Sequence, residues 1–390
     1  MKIAIYPIVS SLHDEAIIDS QTSSFINELK LWGDFDFVIS SLEEMYNYDL
    51  TLILVQSGGS EGMFLSLKKH FREPYYLLTY GTNNSLAASM EILSYLKSNN
   101  ELAEILHGSA KYIAKKITEL GNIKKEDPVN LGIIGKPSDW LIASGVDKNR
   151  CLEKLNINLI DIDMSEFIGL YQHAKEAEFN HNDVLFYDET ELNYAKKVSA
   201  SLEKLIEKYK LKGLTIRCFD LLGSIHTTGC LGLSLINKDG LVGTCEGDVP
   251  AMISMYLMSK ITGQSGFQAN PARIDSDTCQ IVLAHCTMPL NMATQYTLTT
   301  HFESGIGVAI KGKLKETEIT IFKLSNDLSH FYVEEGQIIE NLDEANLCRT
   351  QIKIQLPDVR YFLTSPFGNH HIVVYGSHKH KITEYLEKIL

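Results

Sequence analysis

The sequence predicts an α/β protein in which two doubly wound parallel-sheet domains, residues 1–126 and 127–289, precede an antiparallel β-barrel domain, residues 290–390. Strand-like and helix-like segments alternate through the first two thirds of the chain, which is typical of Rossmann-like sheets covered by helices. Beyond about residue 290 the pattern changes to short β-rich runs between turns, which favours an antiparallel barrel or sandwich. The length of 390 residues also favours two or three domains.

The first domain is predicted to begin with a buried strand and to alternate strands with amphipathic helices. The predicted strands are residues 2–9, 35–39, 50–56 and 75–79. The predicted helices are residues 15–31, 63–71, 85–98 and 101–120. The polar residues 123–127, which precede Pro128, predict the connection to the second domain.

The second domain is predicted to continue the same alternation. Its first elements are strands at residues 129–135, 157–162 and 214–219 and a charged helix at residues 189–209. Segments 229–236 and 240–244 then lead to an apolar helix at residues 248–262. Asp248 is the predicted N-cap of that helix, because its carboxylate can accept hydrogen bonds from unpaired amides of the first turn.

The third domain is predicted from short runs that are alternating or rich in β-formers. These runs are residues 297–302, 307–313, 318–324, 331–339, 351–356, 360–363 and 371–375. A helix at residues 382–390 is predicted to close the domain.

The composition argues against several classes of protein. A net charge of −13 opposes binding to the phosphate backbone of nucleic acids. No apolar run reaches the roughly 18 residues that a membrane span requires. The N-terminus lacks the pattern of a signal peptide, and the seven cysteines show no framework spacing. The sequence therefore predicts a cytoplasmic protein with reduced thiols.

Three separated segments carry residues that could bind a divalent cation. Glu246 lies between a predicted strand and the helix that follows it, at the edge of an α/β sheet where ligands bind. His285 ends an apolar run, and His370 and His371 lie far along the chain. A carboxylate with two imidazoles suits Mn²⁺, Zn²⁺ or Fe²⁺.

Each of these residues also has a structural interpretation. Glu246 could simply complement the dipole of the following helix. A lone histidine such as His285 more often makes structural hydrogen bonds than metal bonds. Since neighbouring residues of a strand face opposite sides, only one of His370 and His371 can point into a given site.

Motifs along nearly the whole chain resemble the fucose/arabinose isomerase family. The motifs that carry the resemblance are Cys245-Glu246-Gly247-Asp248, residues 267–270, His285 and Gly368-Asn369-His370-His371. Further segments resemble shorter fucose isomerase-like members, namely residues 57–61, 135–140, 227–230 and 301–305. Such a series in this order is more specific for the family than for the substrate.

The resemblance implies an aldose–ketose isomerase, an intramolecular oxidoreductase that moves a proton between C1 and C2 of an open-chain sugar through an enediolate. It implies Mn²⁺ or another divalent cation held by Glu246, His285 and His371, with Glu246 also acting as a base. Motif position favours His371 over His370. The family further implies a homotrimer or homohexamer, in which a neighbouring subunit completes the pocket. The sequence does not identify the sugar.

One position departs from the family pattern. Family members carry a second acidic residue, both metal ligand and proton-transfer group, near residues 267–270, where this chain has Ala269 and Asn270. Asn270 cannot act as a base, although its carbonyl oxygen could bind a hard cation in the position of that catalytic acid. Asp275 and Asp277 follow closely and could substitute if the loop bends inward. The departure leaves open a non-catalytic or altered sugar-binding protein.

Six residues are further candidates for contact with a sugar substrate. They are Ser60, Glu61, Trp140, His301, Glu303 and Arg349. His301 and Glu303 would share one face of a strand and contact hydroxyls, or else form a buried ion pair. Arg349 could bind a polar substrate or hold structure, and Trp140 could stack on a sugar ring or pack in the core. Ser60 also matches the nucleophile pattern G-x-S-x-G, so a serine hydrolase is a weaker alternative.

Overall fold

The computed structural model describes residues 1–99, 101–123, 127–178, 188–387 and 389–390. The chain divides into two units, Met1–Asp127 and Pro128–Leu390. Most of the predicted connection, residues 124–126, lies outside the described residues. Parallel sheets in both units and a closed antiparallel barrel in the second confirm the predicted fold class.

Unit 1 contains a five-stranded parallel sheet with the strand order β2-β1-β3-β4-β5. Its strands are β1 Lys2–Ile8, β2 Asp36–Ile39, β3 Leu50–Val55, β4 Tyr75–Leu78 and β5 Ala103–Leu106. Its helices are α1 Glu15–Lys30, α2 Glu61–Leu67, α3 Ser85–Ser98 and α4 Ala110–Ile123. Successive strand residues enter different cores: Ile3 packs with residues of α1 and α4, and Ala4 packs with residues of α2 and α3. The sheet is therefore covered on both faces, as a doubly wound fold requires.

The predicted helix at residues 101–120 is wrong in its first half. Residues Ala103–Leu106 form β5, which pairs in parallel with β4 at the edge of the sheet. Gly108 then turns the chain at a φ of 137°, and α4 begins at Ala110. Pairing with β4 overrides the helical propensity of a segment only four residues long.

Unit 2 begins with a four-stranded parallel sheet with the strand order β7-β6-β8-β9. Its strands are β6 Val129–Ile134, β7 Ile157–Ile162, β8 Gly213–Ile216 and β9 Val242–Cys245. Its helices are α5 Lys148–Leu155, α6 Met164–Gln172, α7 Glu189–Tyr209, α8 Phe219–Ser224, α9 Cys230–Lys238 and α10 Val249–Thr262. The predicted strand at 214–219 ends earlier, at Ile216, because α8 begins at Phe219.

Six antiparallel strands close into a barrel in the order β10-β11-β16-β15-β14-β17. They are β10 Phe267–Asp275, β11 Gln280–His285, β14 Glu318–Leu324, β15 Phe331–Asn341, β16 Thr350–Gln355 and β17 His371–Tyr375. A separate antiparallel pair consists of β12 Ala293–Thr299 and β13 Ala309–Leu314. Two barrel strands, β10 and β11, precede residue 290, where the third domain was predicted to begin. The division into three domains remains a prediction.

Two elements of the C-terminal region differ from the sequence prediction. Residues predicted as a strand at 360–363 form a short helix, α11 Arg360–Thr364. The Asp358 side chain accepts a hydrogen bond from the Arg360 amide at its start, and Phe362 packs into the barrel core. The last helix is α12 Lys379–Leu386, earlier than predicted, and residue 388 lies outside the described residues. Among the described residues, no helix combines the length and apolarity needed to cross a bilayer.

Helix α10 connects the parallel sheet to the barrel. It contacts β9 of the sheet and both β14 and β17 of the barrel. Ten of its fourteen residues are buried, which is why most of its sequence is apolar. This packing brings the start of α10 close to the start of β17, where His370 and His371 lie.

Candidate metal centre

Glu246 occupies the turn between β9 and α10. Its backbone adopts a left-handed φ of 65°, and the following Gly247 adopts 70°. A Cβ on Gly247 would lie 2.5 Å from the carbonyl oxygen of Lys136, so only glycine fits there. The left-handed conformation costs about 1 kcal/mol or more at a residue other than glycine. Such strain concentrates at functional sites.

Asp248 joins the turn to the barrel through three buried contacts. Its Oδ1 accepts a hydrogen bond from the Ala251 amide (2.9 Å), as an N-cap does, and lies 3.6 Å from Lys323 Nζ. Its Oδ2 accepts a hydrogen bond from His370 Nδ1 (2.8 Å). Because Nδ1–H faces Asp248, the free nitrogen of His370, Nε2, is directed towards Glu246.

Glu246, His285 and His370 form the candidate ligand set. One ligand atom from each lies within 4.8 Å of the others. His370 Nε2 is 3.4 Å from Glu246 Oε1, and the His285 and His370 rings meet edge to face with centroids 5.4 Å apart. His285 Nδ1 lies 2.9 Å from the Thr287 hydroxyl, which leaves its Nε2 as the candidate ligand atom.

Two buried polar atoms lack a hydrogen bond of good geometry within the described residues: Asn270 Oδ1, and His370 Nε2, which has only Glu246 Oε1 nearby at 3.4 Å. Leaving such a group unsatisfied costs about 1 to 3 kcal/mol. A divalent cation held by one carboxylate and two imidazoles would satisfy the orphaned nitrogen. The residues present therefore fit the cation that the family resemblance implies.

The three clustered side chains and their neighbours shift one another's pKa values. Burial would raise the pKa of Glu246, but the nearby charge of His370, with His285 and a hydrogen bond from Trp140, lowers it to about 2. Burial would lower the pKa of His370, but Asp248 and Glu246 raise it to about 9. Burial and the charge of His370 lower the pKa of His285 to about 3. Without a cation, His370 is therefore the member of the cluster that carries the positive charge at neutral pH. A cation must displace the proton on its Nε2 to bind there.

His371, which the sequence favoured as the third ligand, does not lie with the other two. It is the first residue of β17 and pairs with Ala269 of β10. Its Nδ1 lies 2.8 Å from the carbonyl oxygen of Asn369, and its Nε2 lies 3.1 Å from the Tyr361 hydroxyl. His370, one residue earlier and on the opposite side, takes the place at the cluster.

Asn270 lies on the face of β10 that points to the β9–α10 turn. Residues two apart on a strand share a face, and Gln268 holds the end of β9 by accepting from the Cys245 amide (2.8 Å). Asp275 and Asp277 lie further along the chain and are exposed. The Asp275 carboxylate accepts from the Asp277 amide within the β10–β11 turn, so the structure does not place either aspartate at the cluster.

Asn270→Asp is expected to tighten Mn²⁺ binding by about tenfold or more, because a carboxylate would replace a neutral oxygen near the cation. Calorimetric titration with Mn²⁺ measures this directly. The matched control is Asn158→Asp, which adds the same charge at the amino end of β7, away from the carboxyl edge. Unchanged or weaker binding in a folded Asn270→Asp variant would show that residue 270 does not touch the cation.

An aromatic wall extends from Glu246 to His301. Trp140 Nε1 donates to Glu246 Oε2 (2.8 Å), although the Trp140 side chain is 53 % exposed. The Trp140 ring meets Phe219 edge to face at 4.9 Å, and Phe219 meets His301 at 5.7 Å. Trp140 therefore orients the carboxylate and still presents a free aromatic face; the sequence did not indicate Phe219.

The prediction that His301 and Glu303 share a strand face is wrong, because both lie in a turn after β12. The Gly305 amide donates to the His301 carbonyl (2.9 Å), and the Gly305 φ of 70° favours glycine. The turn adjoins the aromatic wall through the contact between His301 and Phe219. Burial and the charge of Glu246 raise the pKa of Glu303. Nearby, Arg349 Nε donates to the Thr300 carbonyl (2.8 Å).

Ser60 and Glu61 lie in unit 1, at the start of α2. The Ser60 side chain is fully buried, and its hydroxyl donates to the Ser57 carbonyl (2.7 Å). Its φ is −88°, whereas a nucleophile elbow exposes its serine on a strained turn. This geometry opposes the serine hydrolase alternative.

The chain is similar to proteins named sulfoquinovose isomerase. It is 24 % identical to those of Priestia aryabhattai and Priestia megaterium over 299 residues, which cover 70 % of this chain and 65 % of each relative. It is 20 % identical to that of Alkalicoccus urumqiensis over 327 residues, 77 % of this chain and 74 % of the relative. The chain thus spans 65 %, just under two thirds, of the length of the first two relatives. No model of a known protein family matches the chain.

Proposed function

We propose that this protein is an aldose–ketose isomerase that uses a divalent cation, and that its substrate is an open-chain aldose related to sulfoquinovose. The observation that carries the proposal is the convergence of Glu246, His285 and His370 at the carboxyl edge of the sheet. The similarity to sulfoquinovose isomerases supports the reaction class. Sulfoquinovose is a glucose-type aldose whose C6 carries a sulfonate.

The protein's own residues supply proton transfer and orientation. Glu246 is ionised at neutral pH, and Trp140 holds one of its oxygens, so the carboxylate is fixed to move a proton between C1 and C2. Trp140 also offers an exposed aromatic face for the apolar side of a sugar. Asn270 orients a hydroxyl or the cation but cannot carry the second proton transfer, which falls to a water or to a nearby carboxylate such as Glu303.

Glu246, His285 and His370 would hold the cation, with the Asn270 side-chain oxygen as a further ligand. We propose Mn²⁺, since the set mixes oxygen and nitrogen donors. When bound, the cation would supply a Lewis acid that lowers the energy of the negative charge developing on the sugar oxygens. No nicotinamide is required, because the hydrogen moves as a proton.

The test is a screen for ketose formation from aldoses with added Mn²⁺. The panel contains sulfoquinovose, L-fucose, L-arabinose and D-glucose. We expect a ketose product from at least one, with sulfoquinovose the fastest, and none without a divalent cation. Absence of ketose from the whole panel, with Mn²⁺ shown to be bound, would contradict the proposal.

A second candidate function is sugar binding without catalysis, which Asn270 favours because it stands where a second acid is expected. The screen and a metal titration separate the two. An isomerase retains one cation per chain and forms ketose. A non-catalytic sugar-binding protein binds the sugar but retains no cation and forms no ketose.

Assembly is a further expectation, since the mouth of the site carries exposed apolar side chains. Ile142 is 95 % exposed and Trp140 53 % exposed in the same loop. We propose that a neighbouring subunit covers Ile142 and encloses the sugar pocket that Trp140 lines, in a homotrimer or homohexamer, and that the protein acts in the cytoplasm on a small sugar. Light scattering should give three or six times the chain mass of 43.8 kDa. A monomer at all working concentrations would contradict this assembly.

A further inference from the structure

We propose that Arg349 binds the anionic end of the substrate, and that it selects a sugar carrying a sulfonate over the corresponding neutral sugar. This inference rests on the proposed function, because it assigns the substrate class of the same site. It depends on the position of Arg349, on its lack of a counter-ion and on the geometry of its guanidinium group.

Arg349 lies where two segments of the site meet. The β11–β16 ladder pairs His285 with Thr350, so Arg349 is one residue beyond the pair that carries the candidate ligand. Its Nε and Nη2 donate to the carbonyl (2.8 Å) and the hydroxyl (3.1 Å) of Thr300. Since Thr300 directly precedes His301, these bonds connect the start of β16 to the turn that carries His301 and Glu303.

The positive charge of Arg349 has no carboxylate partner within the described residues. Three other arginines of unit 2 do form ion pairs with carboxylates: Arg217, Arg273 and Arg360. Arg349 is half-buried, and a partly desolvated cation without a counter-ion is costly. An anionic ligand would provide the missing partner.

The remaining donors of Arg349 suit an oxyanion. Thr300 fixes the plane of the guanidinium, and Phe302 lies with its ring centroid 5.7 Å from Cζ. Nη1 makes no hydrogen bond within the described part of the chain, so its N–H groups are free for a ligand. A guanidinium fork matches two oxygens of a sulfonate, which a lysine ammonium does not.

The charge balance of the site also favours an anion. Asp248 and Lys323 neutralise each other. Glu246 and Glu303 offer at most two negative charges, against the two positive charges of a divalent cation and the one of Arg349. Burial, followed by the charge of Arg349, lowers the pKa of His301, which favours a neutral imidazole that can hydrogen-bond sugar hydroxyls.

The experiment measures binding of open-chain alditols that cannot isomerise. The full chain with added Mn²⁺ is titrated with 6-deoxy-6-sulfo-D-glucitol and with 6-deoxy-D-glucitol, which lacks only the sulfonate. We expect the sulfonated alditol to bind about tenfold to 100-fold more tightly, as charge-assisted hydrogen bonds allow. Arg349→Met should remove this preference and change binding of the neutral alditol by about twofold or less. Arg349→Lys should retain part of it.

The matched control is Arg360→Met, which removes the same charge from a side chain that is 84 % exposed on the barrel. It should leave the preference intact, and unfolding curves of all variants check their folding. A preference that survives in Arg349→Met, an equal weakening of both alditols, or no preference in the unaltered protein would each overturn the proposal. Tighter binding of D-glucitol 6-phosphate than of the sulfonated alditol would overturn the choice of sulfonate.

Failure of the proposed function gives a different result. If the unaltered protein forms no ketose from any aldose but keeps the Arg349-dependent preference, isomerase activity is excluded and the anion site stands. If ketose forms while the preference is absent, the isomerase stands and Arg349 is a structural residue.

Discussion

Glu246→Gln is expected to lower kcat for ketose formation by about three orders of magnitude or more. Removal of a general base alone costs about 100-fold to 10,000-fold. The same change also removes the only charged oxygen of the candidate ligand set. Glutamine keeps the size of the side chain and an oxygen that can accept from Trp140 Nε1, so the fold and the aromatic wall should remain intact.

Two measurements separate the catalytic role of Glu246 from its role in cation binding. Initial rates at saturating Mn²⁺ report catalysis. Calorimetric titration reports the Mn²⁺ affinity, which we expect to fall by about tenfold to 100-fold in Glu246→Gln. The control is Glu340→Gln on β15, which removes an exposed carboxylate that pairs with Lys353. If a folded Glu246→Gln variant kept more than about a tenth of the activity, Glu246 could not be the base.

The regular elements were predictable where the pattern was long or strongly periodic. The 21-residue helix α7 and the strand β7 have the bounds that the sequence predicted. In contrast, β5 has only four residues, and its state depends on pairing with β4, which no local pattern encodes. Helix α11 is similarly short, and a run of aromatic residues there fits a strand as well as a helix until Phe362 is placed against the barrel core.

Of the three metal ligands favoured from the sequence and the family resemblance, Glu246 and His285 lie in the cluster, but His371 does not. The position of Glu246 between a predicted strand and a helix suggested a ligand, and the resemblance to the family favoured both Glu246 and His285 over their structural interpretations. The choice between His370 and His371 depends on which ring meets Asp248, a residue 122 positions away from His370. Lys323 carried no signal at all, since a lysine within a β-rich run is ordinarily interpreted as exposed, yet its side chain is almost fully buried.

These supporting contacts make Asp248 the position with the largest expected effect on stability. Asp248→Asn keeps an oxygen that can cap α10 but removes the negative charge beside Lys323 and His370. Burial would raise the pKa of Asp248, but Lys323, His370 and the Ala251 amide hold it well below its usual range, so the carboxylate is ionised. Loss of that charge leaves a buried ammonium uncompensated, and we expect the free energy of unfolding to fall by about 3 to 5 kcal/mol.

A double-mutant cycle with Lys323→Met tests this explanation. Lys323→Met alone should cost less stability than Asp248→Asn, because Asp248 retains His370 as a partner whereas Lys323 has only Asp248 among the described residues. Asp248→Asn with Lys323→Met removes both charges and should recover most of the loss, with a coupling of about 1 to 3 kcal/mol in urea unfolding. Additive losses in the double variant would show that the two charges do not compensate each other.

Mn²⁺ affinity should rank the unaltered protein, the two single variants and the double variant differently from stability. Asp248 orients His370, so Mn²⁺ affinity should fall by about tenfold to 100-fold in Asp248→Asn and stay low in the double variant. Lys323→Met leaves the hydrogen bond between Asp248 and His370 in place and should change the affinity little. A double variant that regains stability but not Mn²⁺ affinity would separate the two roles of Asp248, as counter-ion of Lys323 and as positioning residue for His370. Recovery of both stability and Mn²⁺ affinity in the double variant would instead show that His370 does not need Asp248 to bind the cation.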